Sequence, residues 1–195
     1  MASAWDFPTS LNVGCVDYEI RTDYRAVLDL FTALNDPECF GDSEEETKII
    51  HANFILQIMF PKCDEIPPEH IQEALDKVSE FIDMGISDDR KKPKMMDWEQ
   101  DAPILVPSIN KVLNREIRAE KYIHWWTFLG AYMEIGEGLF CNILSIRSKL
   151  AKKEKLEKWE QKFYQENKSL IDLNRKDQRS DEEREALRDY FGYKK

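Results

Sequence analysis

The sequence predicts a mainly α-helical protein: a compact helical domain with a small N-terminal β-hairpin and an extended C-terminal helical arm. Most apolar residues recur at helical spacing in segments that begin with capping residues, and one short segment alternates with a period of two. Of the 195 residues, 42% are hydrophobic and 34% are charged, which suits one core with long solvated helix faces. We expect the helical domain over residues 1–172, and a polar linker with a short amphipathic helix over residues 173–195.

The N-terminal elements are a hairpin and a first helix. Residues 9–20 alternate between apolar and polar positions on both sides of Gly14, as two short antiparallel strands do. Thr22 is the expected N-cap of the first helix, with Asp23 at the positive end of its dipole. The Asn-Asp-Pro sequence at 35–37 ends this helix.

Capping residues and prolines place the next two helices. Ser43 and Glu46 form the pattern of a capping box for the second helix, which ends before Pro61. The Pro-Pro pair at 67–68 opens the third helix, and Gly85 stands where its C-terminal cap belongs.

Three further helices complete the predicted domain. The fourth extends from near Asp101 to Leu113, with a kink expected at Pro107. The fifth, over residues 119–135, is apolar around most of its circumference and is therefore predicted to be the central buried helix. The sixth begins near Leu139 and extends, with a bend, through residue 170. It carries an apolar stripe on one face: Leu156, Trp159 and Phe163.

A last short helix is predicted in the C-terminal arm. Ser180 and Glu183 form a capping box, and Leu187, Tyr190 and Phe191 give the helix an apolar side. Such a segment is expected to order on docking to its own body, to a second copy or to a client. The candidate partner-binding residues are the aromatic and apolar residues not assigned to the core: Trp98, Trp159, Phe163, Leu187, Tyr190 and Phe191.

The charge distribution disfavours nucleic acid as a partner. The formal net charge is −10, and residues 1–150 hold 15 Lys and Arg against 27 Asp and Glu. An acidic body repels phosphate backbones. The polar basic loop at 86–96 is either an anion-binding patch or, as we favour, a solvated connector, since Asp88 and Asp89 dilute its charge. We expect no nucleic-acid binding.

Membrane and secretory locations are not expected. No apolar run reaches the roughly 18 residues of a membrane span. The N-terminus has neither the basic start nor the apolar segment of a secretory signal. Four scattered cysteines, none in a Cys-x-x-Cys unit, fit free thiols in a reducing intracellular compartment.

The sequence contains no recognisable catalytic or metal-binding motif, so we expect a non-enzymatic protein without cofactor or metal. His124 lies in the most apolar segment and is predicted to be a core histidine bonded to a backbone carbonyl. The carboxylates of Asp97, Glu99 and Asp101 would suit Mg²⁺, but carboxylates also gather at helix N-termini, which is the reading we favour. A zinc site is conceivable but its spacings match no ligand pattern: Cys39, His51, Cys63 and His70.

The adjacent tryptophans point about 100° apart on one helix, so at least one should anchor the core. We assign four neighbouring residues to packing: His124, Trp125, Trp126 and Phe128. Trp98, beside acidic residues in a loop, is expected to pack onto the body or onto a partner.

Four segments resemble motifs of a family of bacteriophage proteins. Residues 123–129, Ile-His-Trp-Trp-Thr-Phe-Leu, resemble the His-Trp-Trp-x-Phe motif of tail assembly chaperones from long-tailed phages of Gram-positive bacteria, the phage gp-fifteen proteins. Residues 18–25 are similar to the opening of that family, residues 97–102 to its Asp-aromatic-x-x-Asp-Ala helix entry, and residues 143–147 to its close. The two prolines of the fourth helix and the chain beyond residue 172 depart from the pattern.

The resemblance implies a helical, non-enzymatic protein located in the host bacterial cytoplasm and absent from the mature virion. Such chaperones bind the phage tape-measure protein, keep its helices soluble and give way as tail-tube subunits polymerise. The resemblance also implies possible contact with the tail-tube protein and possible homo-oligomers. The alternative is another small phage structural protein, such as a head–tail completion protein.

Overall fold

The computed structural model describes residues 5–36, 39, 41, 43–86 and 95–173. The predicted C-terminal helix, with Leu187, Tyr190 and Phe191, lies outside these residues, as does most of the polar loop at 86–96. Within the described residues, the protein is mainly α-helical with one two-stranded antiparallel sheet at the N-terminal end, which confirms the predicted fold class.

The hairpin pairs β1 (Ser10–Val13) with β2 (Val16–Glu19). Gly14 and Cys15 both have positive φ, as a two-residue turn that follows the twist of the strands requires. A side chain at Gly14 would meet the His70 ring at 2.6 Å, and the Gly14 amide donates to Glu73 Oε2 at 3.0 Å. Position 14 of the turn therefore requires glycine, and the bond from its amide to Glu73 holds the hairpin against the third helix.

Three helices follow the hairpin. They are α1 (Tyr24–Leu34), α2 (Glu44–Met59) and α3 (Ile71–Ile82). Ser43 caps α2 by accepting from the Glu46 amide. Gly85 adopts the left-handed conformation, and its amide donates to the Glu80 carbonyl. It thus caps the C-terminal end of α3, as predicted.

The remaining helices are α4 (Ala102–Leu113), α5 (Trp125–Met133), α6 (Leu139–Ala151), α7 (Lys158–Glu166) and α8 (Lys168–Ile171). Short 3₁₀ turns occur at Cys63–Glu65, Pro68–His70 and Ile117–Ala119. Helix α4 continues through Pro107, whose ring is exposed.

One helix cap and one helix boundary differ from the sequence prediction. Asp23, not Thr22, caps α1, because its carboxylate accepts from the Arg25 amide while the Thr22 hydroxyl pairs with the Tyr122 hydroxyl. The fifth helix begins at Trp125 rather than at residue 119. The extended chain before it pairs with the residues before α1, and a strand-like pairing excludes helical hydrogen bonds.

The predicted sixth helix is three separate helices. Lys153 has a φ of +57°, and the Glu154 amide donates to the Lys149 carbonyl at 2.8 Å, so α6 ends there with a left-handed cap. Leu156 lies in the connection and not in a helix, so the predicted stripe of Leu156, Trp159 and Phe163 does not form one helix face. Leu156 and Phe163 pack inward, whereas Trp159 is exposed.

The buried apolar residues form two clusters. The larger one involves the hairpin and helices α1 to α5, with the first residues of α6, and its largest buried side chains are Trp125, Phe60, Phe128 and Phe140. The smaller one joins α6 to α8 through Ile143, Ile146 and Ile171. No helix in the described ranges combines the length and apolarity that crossing a membrane requires.

Candidate functional site

His124 begins α5 as its N-cap. Its Nδ1 accepts from the Trp126 amide at 3.1 Å, so the neutral ring carries its proton on Nε2, which lies 3.1 Å from the Pro8 carbonyl oxygen and donates to it. The ring is buried and stacks on Phe7 at a centroid distance of 4.4 Å. Burial lowers the pKa of His124. The prediction of a core histidine bonded to a backbone carbonyl is therefore confirmed, and the cap is an additional role.

The two adjacent tryptophans join α5 to the end of α3. The Trp125 indole donates to the Ile82 carbonyl and the Trp126 indole donates to the Phe81 carbonyl, both at 2.8 Å. Trp125 is 1% exposed, and Trp126 is half-buried against the same core. The predicted core anchor is thus Trp125, and both indole N–H groups are satisfied without any external ligand.

The opening motif at 18–25 contacts the segment that precedes α5. Asp23 accepts from the Ile123 amide at 3.2 Å and from the Arg25 side chain at 3.1 Å. The other guanidinium nitrogen of Arg25 donates to the carbonyls of Ile117 and Glu120. These bonds explain why an Asp-aromatic-Arg sequence stands at the start of α1: its charges neutralise each other and bind the backbone of a distant segment.

The motifs at 97–102 and 143–147 meet in a buried ion pair. Arg147 donates to both carboxylate oxygens of Asp101, at 2.6 and 2.8 Å, and the two side chains are 5% and 1% exposed. The guanidinium also donates to the carbonyls of Met95, Leu170 and Ile171. This arrangement satisfies a buried charge as fully as a guanidinium allows.

The acidic residues around 97–101 have structural roles. Asp97 Oδ1 accepts from the amides of Glu99 and Gln100, which is the helix-entry role that we favoured over Mg²⁺. Asp101 differs from that expectation, because its carboxylate pairs with Arg147 and the Asp97 amide instead of the first amides of α4. The described residues bring no three potential metal ligands together, whether from this acidic group or from the zinc set that we considered and disfavoured, Cys39, His51, Cys63 and His70.

Trp98 packs onto the body. Its ring stacks on Phe31 at 5.6 Å and lies 5.5 Å from the Tyr132 ring. Trp98 also lines a small open cavity of about 230 Å³, together with Thr32, Asn35 and neighbouring residues. This volume is below that of a typical small-molecule site, so the proposed role of Trp98 in partner binding stays a prediction.

The other predicted partner-binding residues have different positions. Trp159 is 51% exposed on α7, whereas Phe163 is partly buried against the small cluster of α6 and α8. Leu187, Tyr190 and Phe191 lie outside the described residues. The structure therefore does not bring these residues to one surface among the parts that it describes.

Two residues that matter most for holding the motifs together had no predicted role. Arg25 and Arg147 were quoted only as members of their motifs, although each bonds several backbone carbonyls from distant segments. The available signal for Arg147 was its spacing. It lies four residues after Ile143, on the helix face that Ile143 and Ile146 share, which indicates burial but does not identify the partner.

Comparison with known proteins links the chain to one family. The family model described as Bacteriophage Gp15 protein matches residues 6–173, which include all four motif segments. No curated protein and no solved structure matches the chain.

Proposed function

We propose, from the premise that the chain belongs to the Bacteriophage Gp15 protein family, that it is a tail assembly chaperone. In this role it binds the phage tape-measure protein in the host cytoplasm and keeps that protein soluble until tail-tube subunits polymerise. It is not retained in the mature virion. The observation that carries the proposal is the family match itself, because it covers all four segments on which the resemblance to tail chaperones rests.

The internal use of the motif side chains supports a non-enzymatic role. His124, Asp101 and Arg147 are buried and bonded to backbone groups or to each other. A general acid or base has to reach a substrate, and these groups face the interior. We therefore propose that the chain acts through protein contacts made by its exposed residues, without a cofactor or a metal.

Co-expression with the tape-measure protein of the same phage tests this function. The tape-measure protein, produced alone, is expected in the insoluble fraction, and with this chain it is expected in the soluble fraction as a complex that co-purifies. Added tail-tube protein should release the chain from the complex. Lys121→Glu, which reverses the charge of an exposed lysine, is the control variant. It should keep the tape-measure protein soluble and co-purify with it as the parent chain does.

Two results would contradict the proposal. One is a tape-measure protein whose solubility does not respond to the chain. The other is detection of the chain by mass spectrometry in purified virions in amounts equal to a structural component, which would favour a head–tail completion protein.

A further inference from the structure

The connection between α6 and α7, together with the adjoining turns of both helices, has a charge opposite to that of the body. These residues, 149–162, which we call the lysine elbow, contain six lysines and three glutamates. Residues 1–150, by contrast, have a net charge of −12. A local excess of positive charge on an acidic protein attracts negatively charged partners to one place on its surface.

Internal contacts fix the lysine elbow in shape. The left-handed cap at Lys153 ends α6, and Glu157 and Glu160 form a reciprocal capping box that begins α7. Lys149 donates to the buried Glu160 at 2.6 Å, and this hydrogen bond lowers the pKa of the Glu160 carboxyl. Leu156 packs against the small apolar cluster. The elbow is therefore preorganised and requires little ordering when it binds.

The outer side of the elbow is unpaired. Lys152, Lys153, Lys155 and Lys158 are exposed and form no ion pair with any residue in the described part of the chain. No carboxylate of the described ranges neutralises these four charges, which suits them to pair with an anionic group of a partner.

An oriented tryptophan stands among these lysines. Trp159 is 51% exposed, and its indole N–H donates to Glu157 Oε2 at 2.9 Å, which holds the ring in one orientation. Lys162 follows three residues later on the same face of α7. A large aromatic side chain with a fixed orientation and a rim of charge is typical of residues that dominate protein interfaces.

We propose that the lysine elbow is the docking surface for an acidic amphipathic helix of another protein. The lysines pair with the carboxylates of that helix and the Trp159 ring contacts its apolar stripe. This inference names the chemistry of the client segment, and it therefore rests on the proposed function.

Charge also distinguishes this partner from the other candidates. A nucleic acid would meet the repulsion of a chain with a net charge of −10, and Glu154 and Glu157 interrupt the lysines. A second copy would bring its own −10 to the contact, and net charge of this kind opposes association of identical chains. A different protein that is acidic only in one helix brings less negative charge to the contact than either of these, so the attraction of the local lysines faces a weaker repulsion from the body.

Fluorescence anisotropy with the full chain tests the proposal. The probe is a labelled helical peptide of about 20 residues, long enough to form a helix, with leucines at helical spacing and glutamates elsewhere. A second peptide replaces every glutamate by lysine. The variants are Trp159→Ala and the double variant Lys155→Glu/Lys158→Glu, with Lys121→Glu as the control of equal charge change per site. Circular dichroism establishes that each variant is folded.

The acidic peptide is expected to bind the parent and the control, and the lysine peptide is not. Trp159→Ala should weaken binding at least about tenfold, as loss of an interface hot spot does. The double variant should abolish it, and higher salt should weaken it. Four results would overturn the proposal: equal binding by the elbow variants, no binding of the acidic peptide, displacement of the probe by an oligonucleotide or by a peptide of residues 174–195, and a self-association of the parent that the elbow variants lose.

The outcomes separate this inference from the proposed function. If the peptide binds as expected and the tape-measure protein does not co-purify with the parent, the elbow stands and the chaperone function fails. If the tape-measure protein co-purifies equally with the parent and with both elbow variants, the function stands and the elbow fails.

Discussion

The aromatic core around α5 and the small cluster between α6 and α8 are stabilised by different means. Around α5, stacked rings such as Tyr24 on Phe128, at 4.7 Å, fill a large apolar interior. Among the described residues, the cluster between α6 and α8 has three buried apolar side chains, and two ion pairs lie beside it, Asp101 with Arg147 and Lys149 with Glu160.

This difference indicates how each region tolerates change. An apolar core loses stability in proportion to the volume removed. A small region that depends on buried charge is stable only while each charge keeps its partner, because an uncompensated buried charge costs more than the pair contributes. The second region also carries the lysine elbow, so that its ion pairs position the surface that we assign to a partner.

The largest expected effect is in the aromatic core. Trp125→Ala should lower the free energy of unfolding by an amount toward the upper end of about 3–5 kcal/mol, because it leaves a cavity and removes the donor to the Ile82 carbonyl at the α3–α5 junction. Trp126→Ala should cost less, since that ring is half-buried. Urea denaturation measures both. If both variants unfold at the same urea concentration as the parent, α5 is not the centre of the core.

The ion pair of the second region gives the next prediction. Arg147→Ala should cost about 3 kcal/mol, because Asp101 remains buried without its partner while water can enter the vacated space. The double variant Arg147→Met/Asp101→Leu should recover part of this loss in urea denaturation, because it removes the buried charge but leaves the carbonyls bonded to Arg147 and the Asp97 amide unpaired. A double variant that is as unstable as Arg147→Ala would contradict the cost that we assign to the uncompensated charge of Asp101.

The histidine cap of α5 predicts a pH dependence in the first region. Burial lowers the pKa of His124 in the folded protein, so the unfolded chain binds the proton first as the pH falls below about 6.5. The free energy of unfolding should therefore decrease as the pH falls from 7 through this window. His124→Asn keeps a capping residue and should flatten the decrease.

A His51 variant is the matched control for this experiment, because burial lowers the pKa of His51 as well. His51→Asn should remove only its own part of the pH dependence, measured by denaturation at several pH values. An unchanged slope in His124→Asn would contradict the capping role of the neutral ring.

The smallest effect is expected at the edge of the first region. Ser43→Ala removes the cap of α2, which involves one hydrogen bond to the Glu46 amide, and should cost about 1 kcal/mol. Ser43→Asp should restore the stability in the same denaturation assay. A loss as large as that of Trp125→Ala would place the start of α2 in the core.

The sequence predicted those parts of the fold that depend on local signals. Alternation around Gly14 and the caps at Ser43 and Gly85 place the hairpin, α2 and the end of α3 where the structure has them. The predicted start of α5 at residue 119 was wrong, because the chain before Trp125 pairs with the residues before α1. This pairing overrides the helical preference of an apolar segment. The break after α6 was missed because a lysine, and not a glycine, takes the left-handed conformation there.

The candidate site was predictable only in part, for a related reason. The inward role of Trp125 follows from apolar residues that surround it in sequence. The pairing of Asp101 with Arg147 joins residues 46 positions apart, and no local pattern reports a partner at that distance. The lysine elbow needed the structure too. The predicted continuous helix puts Trp159 in one stripe with Leu156 and Phe163, whereas in the structure Trp159 is exposed and the other two residues pack inward.

Hydrogen–deuterium exchange on the chain, alone and in complex with the tape-measure protein, distinguishes the motifs that stabilise the fold from the lysine elbow that we propose binds the client. We expect the complex to add protection in residues 149–162 and to leave the exchange of residues 120–133 unchanged. Added protection confined to residues 95–100, around Trp98, or no change at the lysine elbow, would contradict it.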